Sequence, residues 1–291
     1  SDVYKRQVYV QLTDEDGGSK PSTGDLSVNA WGKYAYVEGK ISDSDCSFEY
    51  TRQGESSWSK VSATVDGTKA SAKIEGLQSG TTYQCRLVNA SVLGESTFTT
   101  EEATALYNGN FDLWYQAGKT WYTGESGKSF WDTSNPGTTQ GLGAAVNINP
   151  TQGNTNVVHT QGGKSAELKS QFKVKFAAAS LYTGSFGELV GMNGAKINFG
   201  QLFTSRPTAL HGFFQYAPAT VGYVGDNQPT GTIAKGDPDV CSIYIALAKK
   251  SYTVDNTKVE TFIQFKTDNN IIAYGELPLK ECVSTNGTWK E

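Results

Sequence analysis

The chain has one methionine, 8 prolines and 2 histidines among its 291 residues, and it has no long hydrophobic run. Its longest apolar stretches, such as Ile243–Ala248, fall far short of the ~20 residues that a membrane-spanning helix needs. Basic residues occur singly and the formal net charge is −4, so the positive patch that binds a nucleic-acid backbone is missing. The sequence therefore predicts neither a membrane-spanning segment nor a nucleic-acid partner.

Glycine, by contrast, is abundant at 32 residues, and aromatic residues make up 12% of the chain. This balance is typical of β proteins that are rich in turns. The length exceeds that of a usual single domain, so we expect two domains of roughly 100 and 180 residues. The composition thus predicts an all-β chain with two cores.

The four cysteines fall two to each expected domain: Cys46 and Cys85, then Cys241 and Cys282. None lies in a C-x-x-C pair, which argues against zinc-ribbon and thioredoxin-type sites. An even number of cysteines permits disulfides in an exported protein, but buried thiols are equally common. Both alternatives stay open for each pair.

The segment 2–7 resembles the translated end sequence of the transposon adaptors used in shotgun sequencing libraries. We therefore expect residues 1–7 to be an artefact and the native N-terminus to lie upstream. The absence of a targeting signal then carries no information.

Residues 26–100 read as short strands between turns, which we predict at Tyr34–Ile41, Cys46–Arg52, Trp58–Val65, Lys69–Ile74, Thr82–Asn89 and Thr97–Thr99. In two of these strands every second residue is apolar: Cys46, Phe48 and Tyr50 in one, Tyr83, Cys85 and Leu87 in the other. Such alternation gives each strand one face for a sandwich core.

The turn Gly76–Tyr83 resembles the tyrosine corner of fibronectin type III domains, in which a tyrosine hydroxyl returns to the backbone a few residues upstream. Residues 89–96 are similar to the last hairpin of that family, although its strand-B tryptophan is not obvious and Trp31 lies too early. The resemblance implies an Ig-like or fibronectin type III domain over residues 8–105 that acts as a spacer. It also implies neighbouring strands that bring Cys46 and Cys85 within bonding range.

Residues 107–150 are rich in tryptophan, glycine, asparagine and threonine, so loops are expected there. Alternation returns in Ala166–Phe176, which predicts one long strand. Further strands are predicted at Ala195–Phe199, Ala209–Tyr216, Cys241–Ala248, Thr261–Thr267 and Ile271–Tyr274. The result is a larger, jelly-roll-like antiparallel sandwich over residues 107–291.

Several separated blocks of this region agree in order with one family: Asn108–Tyr115, Gly118–Tyr122, Phe130–Thr139, Gly194–Gly200 and Phe203–Leu210. Together they look like the carbohydrate-metabolism domain found in exported proteins of gut-type Gram-negative bacteria. The resemblance implies a glycan partner and a location at the cell surface, on the outer membrane or in the periplasm.

The opening Asn108–Trp114 is also similar to the first strand of jelly-roll carbohydrate-binding modules, where the acidic residue can help to hold a structural calcium. The equivalent residue is Asp112. Calcium needs six to eight oxygens, of which one aspartate supplies at most two. The alternative is an aspartate that bonds nearby backbone, and no other cofactor is indicated.

Sugar rings present apolar C–H faces that lie on aromatic planes, while their hydroxyls need polar partners. Seven residues supply both kinds and form the predicted glycan site: Trp114, Trp121, Tyr122, Trp131, Asp132, Asn135 and Arg206. We favour Trp121 and Trp131 because each stands among expected loop residues, whereas tryptophans on strands belong more often to the core.

No catalytic residue can be assigned, because glycoside hydrolysis requires two carboxylates about 5–10 Å apart and the sequence does not pair any. Three functions stay open: a carbohydrate-binding module, a glycoside hydrolase or lyase that uses carboxylates in the same cleft, and a structural adhesin with the aromatics in its core.

The final residues, 286–291, read as a turn that leads into a new strand. We therefore expect a missing C-terminal strand, which would leave Asn110–Trp114 without one neighbour and Asp112 without an acidic co-ligand.

Overall fold

The structure is a computed structural model that describes residues 6–12, 23–42, 44–128, 130–174, 176–191, 194–207, 209–224 and 234–291. These residues form two compact units. The smaller unit contains the described residues up to 105, without the strand 6–12, together with 204–207 and 209–210. The larger unit contains the others. The strand Arg6–Leu12 thus lies in the larger unit, whereas the sequence predicts residues 8–12 in the smaller domain. Of the expected artefact, residues 1–5 lie outside the described residues.

The smaller unit consists of two antiparallel sheets. The five-stranded sheet contains, in spatial order, Thr23–Gly24, Val92–Thr99, Thr82–Val88, Ser47–Arg52 and Ser59–Ser62. The four-stranded sheet contains Ser27–Ala30, Tyr34–Lys40, Lys69–Glu75 and Thr64–Asp66. The predicted strands of this region are confirmed to within a few residues, with two exceptions. Residues 97–99 are the end of the longer strand Val92–Thr99, and 58–65 is divided into two strands, one in each sheet.

Alternation along the strands builds the core of the smaller unit. Tyr83, Cys85 and Leu87 are buried while Gln84 between them is exposed, as expected for a strand with one face on a core. The Tyr83 hydroxyl accepts a hydrogen bond from the backbone N–H of Gln78 at 2.9 Å. This is the contact that a tyrosine corner requires, and it fixes the turn before the strand.

Cys46 and Cys85 do lie on neighbouring strands, but they are too far apart for a disulfide. Ser47 is opposite Val88 and Tyr50 is opposite Cys85, so Cys46 is offset by about four residues from Cys85 along the strands. At about 3.4 Å per residue this offset exceeds the ~7 Å between Cα atoms that a disulfide tolerates. The implied bridge is therefore wrong. Burial raises the pKa of the Cys85 thiol to about 12.

The larger unit is also a sandwich of two four-stranded sheets. One sheet is mixed and contains, in spatial order, Leu202–Phe203, Arg6–Leu12, Ile243–Ala248 and Ile271–Glu276. In it, Arg6–Leu12 pairs in parallel with both of its neighbours. The other sheet is antiparallel and contains Trp131–Thr133, Leu181–Val190, Gly194–Phe199 and Tyr252–Asp255. The prediction of an all-β fold is confirmed, and the described strands of residues 107–291 pair with one another in the antiparallel sense; the parallel pairing is contributed by Arg6–Leu12, which lies outside that range.

A buried aromatic cluster joins the two sheets of the larger unit. Tyr182 and Phe199 come from the antiparallel sheet and meet edge to face at 5.1 Å between ring centroids. Tyr244 and Ala246 come from the strand Ile243–Ala248 of the mixed sheet and belong to the same cluster. Such edge-to-face pairs are favourable beyond the area that they bury. This cluster is therefore the core of the larger unit.

Three hairpins and four short helices complete the larger unit. The hairpins pair Trp114–Ala117 with Thr120–Thr123, Thr151–Asn154 with Ser165–Leu168, and Gln171–Phe172 with Phe176–Ala177. The helices are α-helical Asn135–Thr139 and 3-10 helical Gly141–Ala145, Val259–Thr261 and Leu279–Glu281. No helix in the described part of the chain combines the length and hydropathy needed to cross a bilayer.

Three strand predictions in the larger unit are wrong. Ala166–Phe176 does not form one strand, because the chain leaves its hairpin at Leu168 and folds back through a second hairpin; Lys175 of that stretch lies outside the described residues. Residues 261–267 form no strand: they run from the end of the 3-10 helix Val259–Thr261 into a turn. Residues 209–216 contain only one isolated bridge, at Phe214. Alternation of apolar and polar residues indicates which face of a strand could be buried, but it does not show whether a neighbouring strand is there to pair with it.

The tyrosine corner gives a first testable prediction. Tyr83→Phe removes the hydroxyl and leaves the Gln78 N–H without its acceptor, so we expect unfolding of the smaller unit to become easier by about 1–2 kcal/mol. Calorimetric melting of the full chain measures the change. Tyr36→Phe is the control, because the Tyr36 ring is exposed and its hydroxyl has no hydrogen bond among the described residues. Equal effects of the two substitutions would contradict a special role of the corner.

Candidate functional site

The hairpin Trp114–Thr123 separates its aromatic side chains onto two faces. Tyr115 is directly opposite Tyr122, and Trp121 is opposite Gln116. Because opposite residues share a face and successive residues alternate, the tyrosines lie on one face and Trp114 and Trp121 on the other. Trp121 therefore lies in a strand, not in the loop that the sequence predicted.

The tyrosine face is held by stacking and by a glutamine. The rings of Tyr115 and Tyr122 stack at 5.2 Å with an angle of 15° between their planes. The Gln140 amide donates to the Tyr122 hydroxyl at 2.7 Å and to the Thr120 hydroxyl at 2.9 Å. Burial, and then the proximity of Tyr122 and Asp132, raise the pKa of Tyr115. This face combines partly exposed rings with side chains that hydrogen-bond.

Asp132 lies beside the tyrosine face with both carboxylate oxygens engaged. Oδ1 accepts the Thr133 backbone N–H at 2.8 Å, and Oδ2 accepts the Phe186 backbone N–H at 2.7 Å. Burial raises the pKa of Asp132, while the two backbone hydrogen bonds oppose that shift. The second bond joins Asp132 to the strand Leu181–Val190, so its first role is structural.

Asn135 is completely buried, and its amide joins three segments. Its Nδ2 donates to the Trp121 carbonyl at 2.8 Å and to the Thr151 carbonyl at 2.6 Å. Its Oδ1 accepts the Thr151 backbone N–H at 3.0 Å. The side chain has no surface to offer a sugar, so the prediction that Asn135 contacts ligand is corrected to a structural role.

The two tryptophans of the hairpin differ in whether the ring and the indole N–H stay available to a ligand. The Trp114 indole N–H donates to the Phe111 carbonyl at 2.7 Å, and its ring packs so closely on Gly153 that a β-carbon there would lie 2.7 Å from a ring atom. The Trp121 ring is partly exposed, and none of the residues that the structure describes accepts a hydrogen bond from its indole N–H. Of the two, Trp121 is better placed to meet a ligand.

Trp131 belongs to the core. It lies in the strand Trp131–Thr133 and is 5% exposed. Its indole N–H donates to the Tyr107 carbonyl at 2.6 Å, and its ring meets the edges of Phe111 and Phe130. The prediction that Trp131 stacks on a sugar is therefore corrected: its neighbours cover the ring, and the pairing strand Leu181–Val190 fixes it.

Arg206 is placed in the smaller unit. Its Nε donates to Glu101 at 2.7 Å and its Nη1 to the Asn29 side chain at 2.9 Å. Its Nη2 donates to the Ala30 carbonyl at 2.7 Å, and the guanidinium lies 4.3 Å over the Trp31 ring. The structure does not bring Arg206 into the predicted glycan group, because these partners already use its donors.

Asp112 lies in a closed turn in place of the expected opening strand. Its Oδ1 accepts the Lys164 backbone N–H and its Oδ2 accepts the Asn110 amide, both at 2.6 Å. The Asn108 side chain bonds both polar backbone groups of Leu113, and the Leu113 carbonyl also accepts the Gly124 backbone N–H at 2.7 Å. The described residues contain no group of three His, Cys, Asp or Glu side chains that could hold a metal. Calcium at Asp112 stays a prediction without a supporting ligand group.

A second aromatic group, which was not predicted from the sequence, is formed by His159, Phe213 and Trp289. His159 stacks on Phe213 at 3.8 Å and meets Trp289 edge to face at 5.6 Å. Phe213 is 50% exposed, and Trp289 is anchored by its indole N–H on the Val158 carbonyl. The three residues come from distant segments with no shared motif, so no sequence signal indicates their proximity. In the structure, an isolated bridge between Phe214 and Lys290 joins two of these segments.

Residues 97–291 match the family model described as "Putative carbohydrate metabolism domain". The chain belongs to this family. The match includes the hairpin Trp114–Thr123 and the group of His159, Phe213 and Trp289. It gives the chain a carbohydrate-related function. The family named in the sequence analysis is thereby confirmed, whereas the Ig-like or fibronectin type III assignment of the smaller unit stays a prediction.

Two solved structures of the sensor domain of the anti-sigma factor RsgI4 from Pseudobacteroides cellulosolvens are similar to part of this carbohydrate-metabolism chain. They share 19% and 20% identity with it, cover 29% of it and 98% and 95% of their own chains, and each has a TM-score of 0.23. No curated protein sequence matches the chain.

The core position of Trp131 predicts a large loss of stability on truncation. Trp131→Ala opens a cavity among aromatic rings and leaves the Tyr107 carbonyl without its donor, so we expect unfolding to become easier by about 3–5 kcal/mol. Urea denaturation followed by circular dichroism measures this. The partly exposed Trp121, replaced by alanine, serves as the comparison and should cost much less. A Trp131→Ala protein as stable as the parent chain would contradict burial of this indole.

The raised pKa of Asp132 predicts a pH dependence of stability with a defined sign. The folded chain binds this proton at a higher pH than the unfolded chain, whose carboxyl has a pKa near 3.8. The deprotonated carboxylate therefore reduces stability at neutral pH, and the loss disappears as the pH falls through the folded-state pKa towards 3.8. Relative to Asp132→Asn, the parent chain should gain melting temperature between pH 7 and pH 4. Parallel curves for the two proteins would refute this assignment.

Proposed function

We propose that the larger unit binds carbohydrate, with Trp121 as the main contact residue and the smaller unit as a spacer. Membership of the carbohydrate-metabolism family supports the ligand class. The observation that carries the location is the Trp121 indole, which is partly exposed and keeps its N–H free of partners among the described residues. A partly exposed indole with a free donor can offer a sugar both a C–H stacking plane and a hydrogen bond.

The surroundings of Trp121 provide further polar groups. Gln116 is exposed and directly opposite Trp121 in the hairpin. Asn149 holds the local backbone, since its Oδ1 accepts the backbone N–H of Trp121 at 2.9 Å and its Nδ2 donates to the Lys119 carbonyl. Binding surfaces built on pre-formed strands lose little entropy when a ligand arrives. Trp114 and Tyr122 belong to the same hairpin, and in this proposal they support the contact surface.

We favour binding over hydrolysis because both carboxylate oxygens of Asp132 already accept hydrogen bonds from the backbone. A glycosidase needs two carboxyl groups that face the scissile bond, one of them free to give or take a proton. Asp132 is the predicted site carboxylate with a raised pKa, yet each of its oxygens already accepts a backbone N–H. A structural adhesin of the predicted kind would bury its aromatic side chains in the core, so the partial exposure of Trp121 favours the binding module over that alternative as well.

We further propose that the protein is exported to the cell surface or the periplasm, where polysaccharides are accessible. The family resemblance carries this part of the proposal. Nucleic acid is not a proposed partner, because the chain is acidic overall and its basic residues are dispersed.

Affinity electrophoresis of the full chain in gels that contain xylan, mixed-linkage β-glucan, galactomannan or pectin tests the function. We expect retardation by at least one polysaccharide. Calorimetry then measures affinity for the retained one, where Trp121→Ala should weaken binding by about 1–3 kcal/mol, roughly 5- to 150-fold, because a central aromatic contact is lost.

Two further variants locate the site. Trp58→Ala removes a partly exposed tryptophan from the smaller unit and should leave affinity unchanged. Phe213→Ala removes the exposed ring of the second aromatic group. Loss of binding in Phe213→Ala with unchanged binding in Trp121→Ala would overturn the Trp121 site and favour the second group. No retardation in any gel would argue against the binding function for these polysaccharides.

A further inference from the structure

Cys241 and Cys282 are both buried in the larger unit, at one end of the mixed sheet. Cys241 lies just before the strand Ile243–Ala248, and Cys282 follows the short helix Leu279–Glu281. Although 41 positions separate them in the sequence, the sheet brings these two segments to the same end.

The route by which Cys282 returns is defined by hydrogen bonds. The antiparallel pairing of Tyr244 with Glu276 is extended by a bond from the Leu277 N–H to the Ile243 carbonyl at 2.9 Å. The chain then turns through Leu279–Glu281, where the Cys282 N–H donates to the Leu279 carbonyl at 3.1 Å. This turn folds Cys282 back towards the start of the strand that Cys241 precedes.

The two thiols are neighbours. The Cys282 sulfur lies 3.7 Å from the carbonyl oxygen of Leu277, whose N–H is bonded to Ile243, two residues after Cys241, and the Cys241 thiol is close enough to raise the pKa of Cys282. Neighbouring buried thiols can reach the ~2.05 Å of a disulfide bond by side-chain rotation. The pair thus differs from Cys46 and Cys85, whose register keeps them apart.

We propose that Cys241 and Cys282 are an oxidation site, where a disulfide forms when the chain folds in the presence of a low-molecular-weight or protein disulfide. In the reaction each thiol gives up its proton, and a sulfur–sulfur bond forms between the two residues. The two electrons reduce the oxidant disulfide to two thiols. This inference does not depend on the proposed carbohydrate function.

The burial of the pair determines when oxidation occurs. Burial, and then the neighbouring Cys241, raise the pKa of the Cys282 thiol to about 12, so the reactive thiolate is scarce in the folded chain at neutral pH. Thiol–disulfide exchange also needs access to the sulfur. The bond therefore forms during folding, and the folded, reduced chain oxidises slowly.

The experiment refolds the full chain from the reduced, denatured state, once with reduced and oxidised glutathione and once with excess dithiothreitol. Remaining thiols are alkylated under denaturing conditions and the chain is digested for mass spectrometry. We expect a peptide that links Cys241 to Cys282 after glutathione refolding only. Cys46 and Cys85 are the internal control and should be alkylated in both samples.

A melting measurement gives an independent readout. A disulfide that closes a loop of this length restricts the unfolded chain, so dithiothreitol should lower the Tm of the oxidised protein by on the order of 10 °C. Cys241→Ser should show no such dependence on reductant. Four alkylated cysteines after glutathione refolding, a Cys46–Cys85 link, or dimers joined through Cys282 would each overturn the proposal, whether or not the serine variant folds.

Discussion

The buried amide of Asn135 is the constraint on which the arrangement of the larger unit depends. It satisfies the Trp121 carbonyl and both polar backbone groups of Thr151. Because an unpaired polar group inside a protein costs about 1–3 kcal/mol, no apolar residue of similar size could replace it without three separate penalties. This one side chain therefore sets the position of the aromatic hairpin relative to the strand Thr151–Asn154, and with it the orientation of Trp121.

The tryptophans of the larger unit have two different roles, one in the core and one at the surface. Trp131 is buried and its ring packs against the half-buried Phe111, so this indole contributes to stability. Trp121 lies on the hairpin Trp114–Thr123, whose backbone is anchored while the Trp121 side chain stays partly exposed. A binding surface for sugars needs this combination, because a rigid backbone keeps the ring pre-organised and an exposed face lets a ligand displace water from it. The stacked tyrosines and Gln140 stabilise the opposite face of the same hairpin.

The two cysteine pairs illustrate how little sequence position says about proximity. Cys46 and Cys85 lie on strands that are hydrogen-bonded to each other, yet register separates them. Cys241 and Cys282 are not paired in a sheet, yet a tight turn after a strand end makes their thiols neighbours. Neighbouring strands guarantee contact only for residues at the same register position, since displacement along a strand grows by about 3.4 Å per residue.

The sequence by itself determined the all-β class, the family of residues 97–291 and most strands of the smaller unit, because alternation and turn residues act locally. It also determined the contact made by the Tyr83 hydroxyl. Only the tertiary structure decided which tryptophan is core, where Arg206 binds, and that His159 meets Phe213. Burial, register and contact between distant segments depend on which surfaces meet, and a linear pattern of apolar and polar residues does not contain that information.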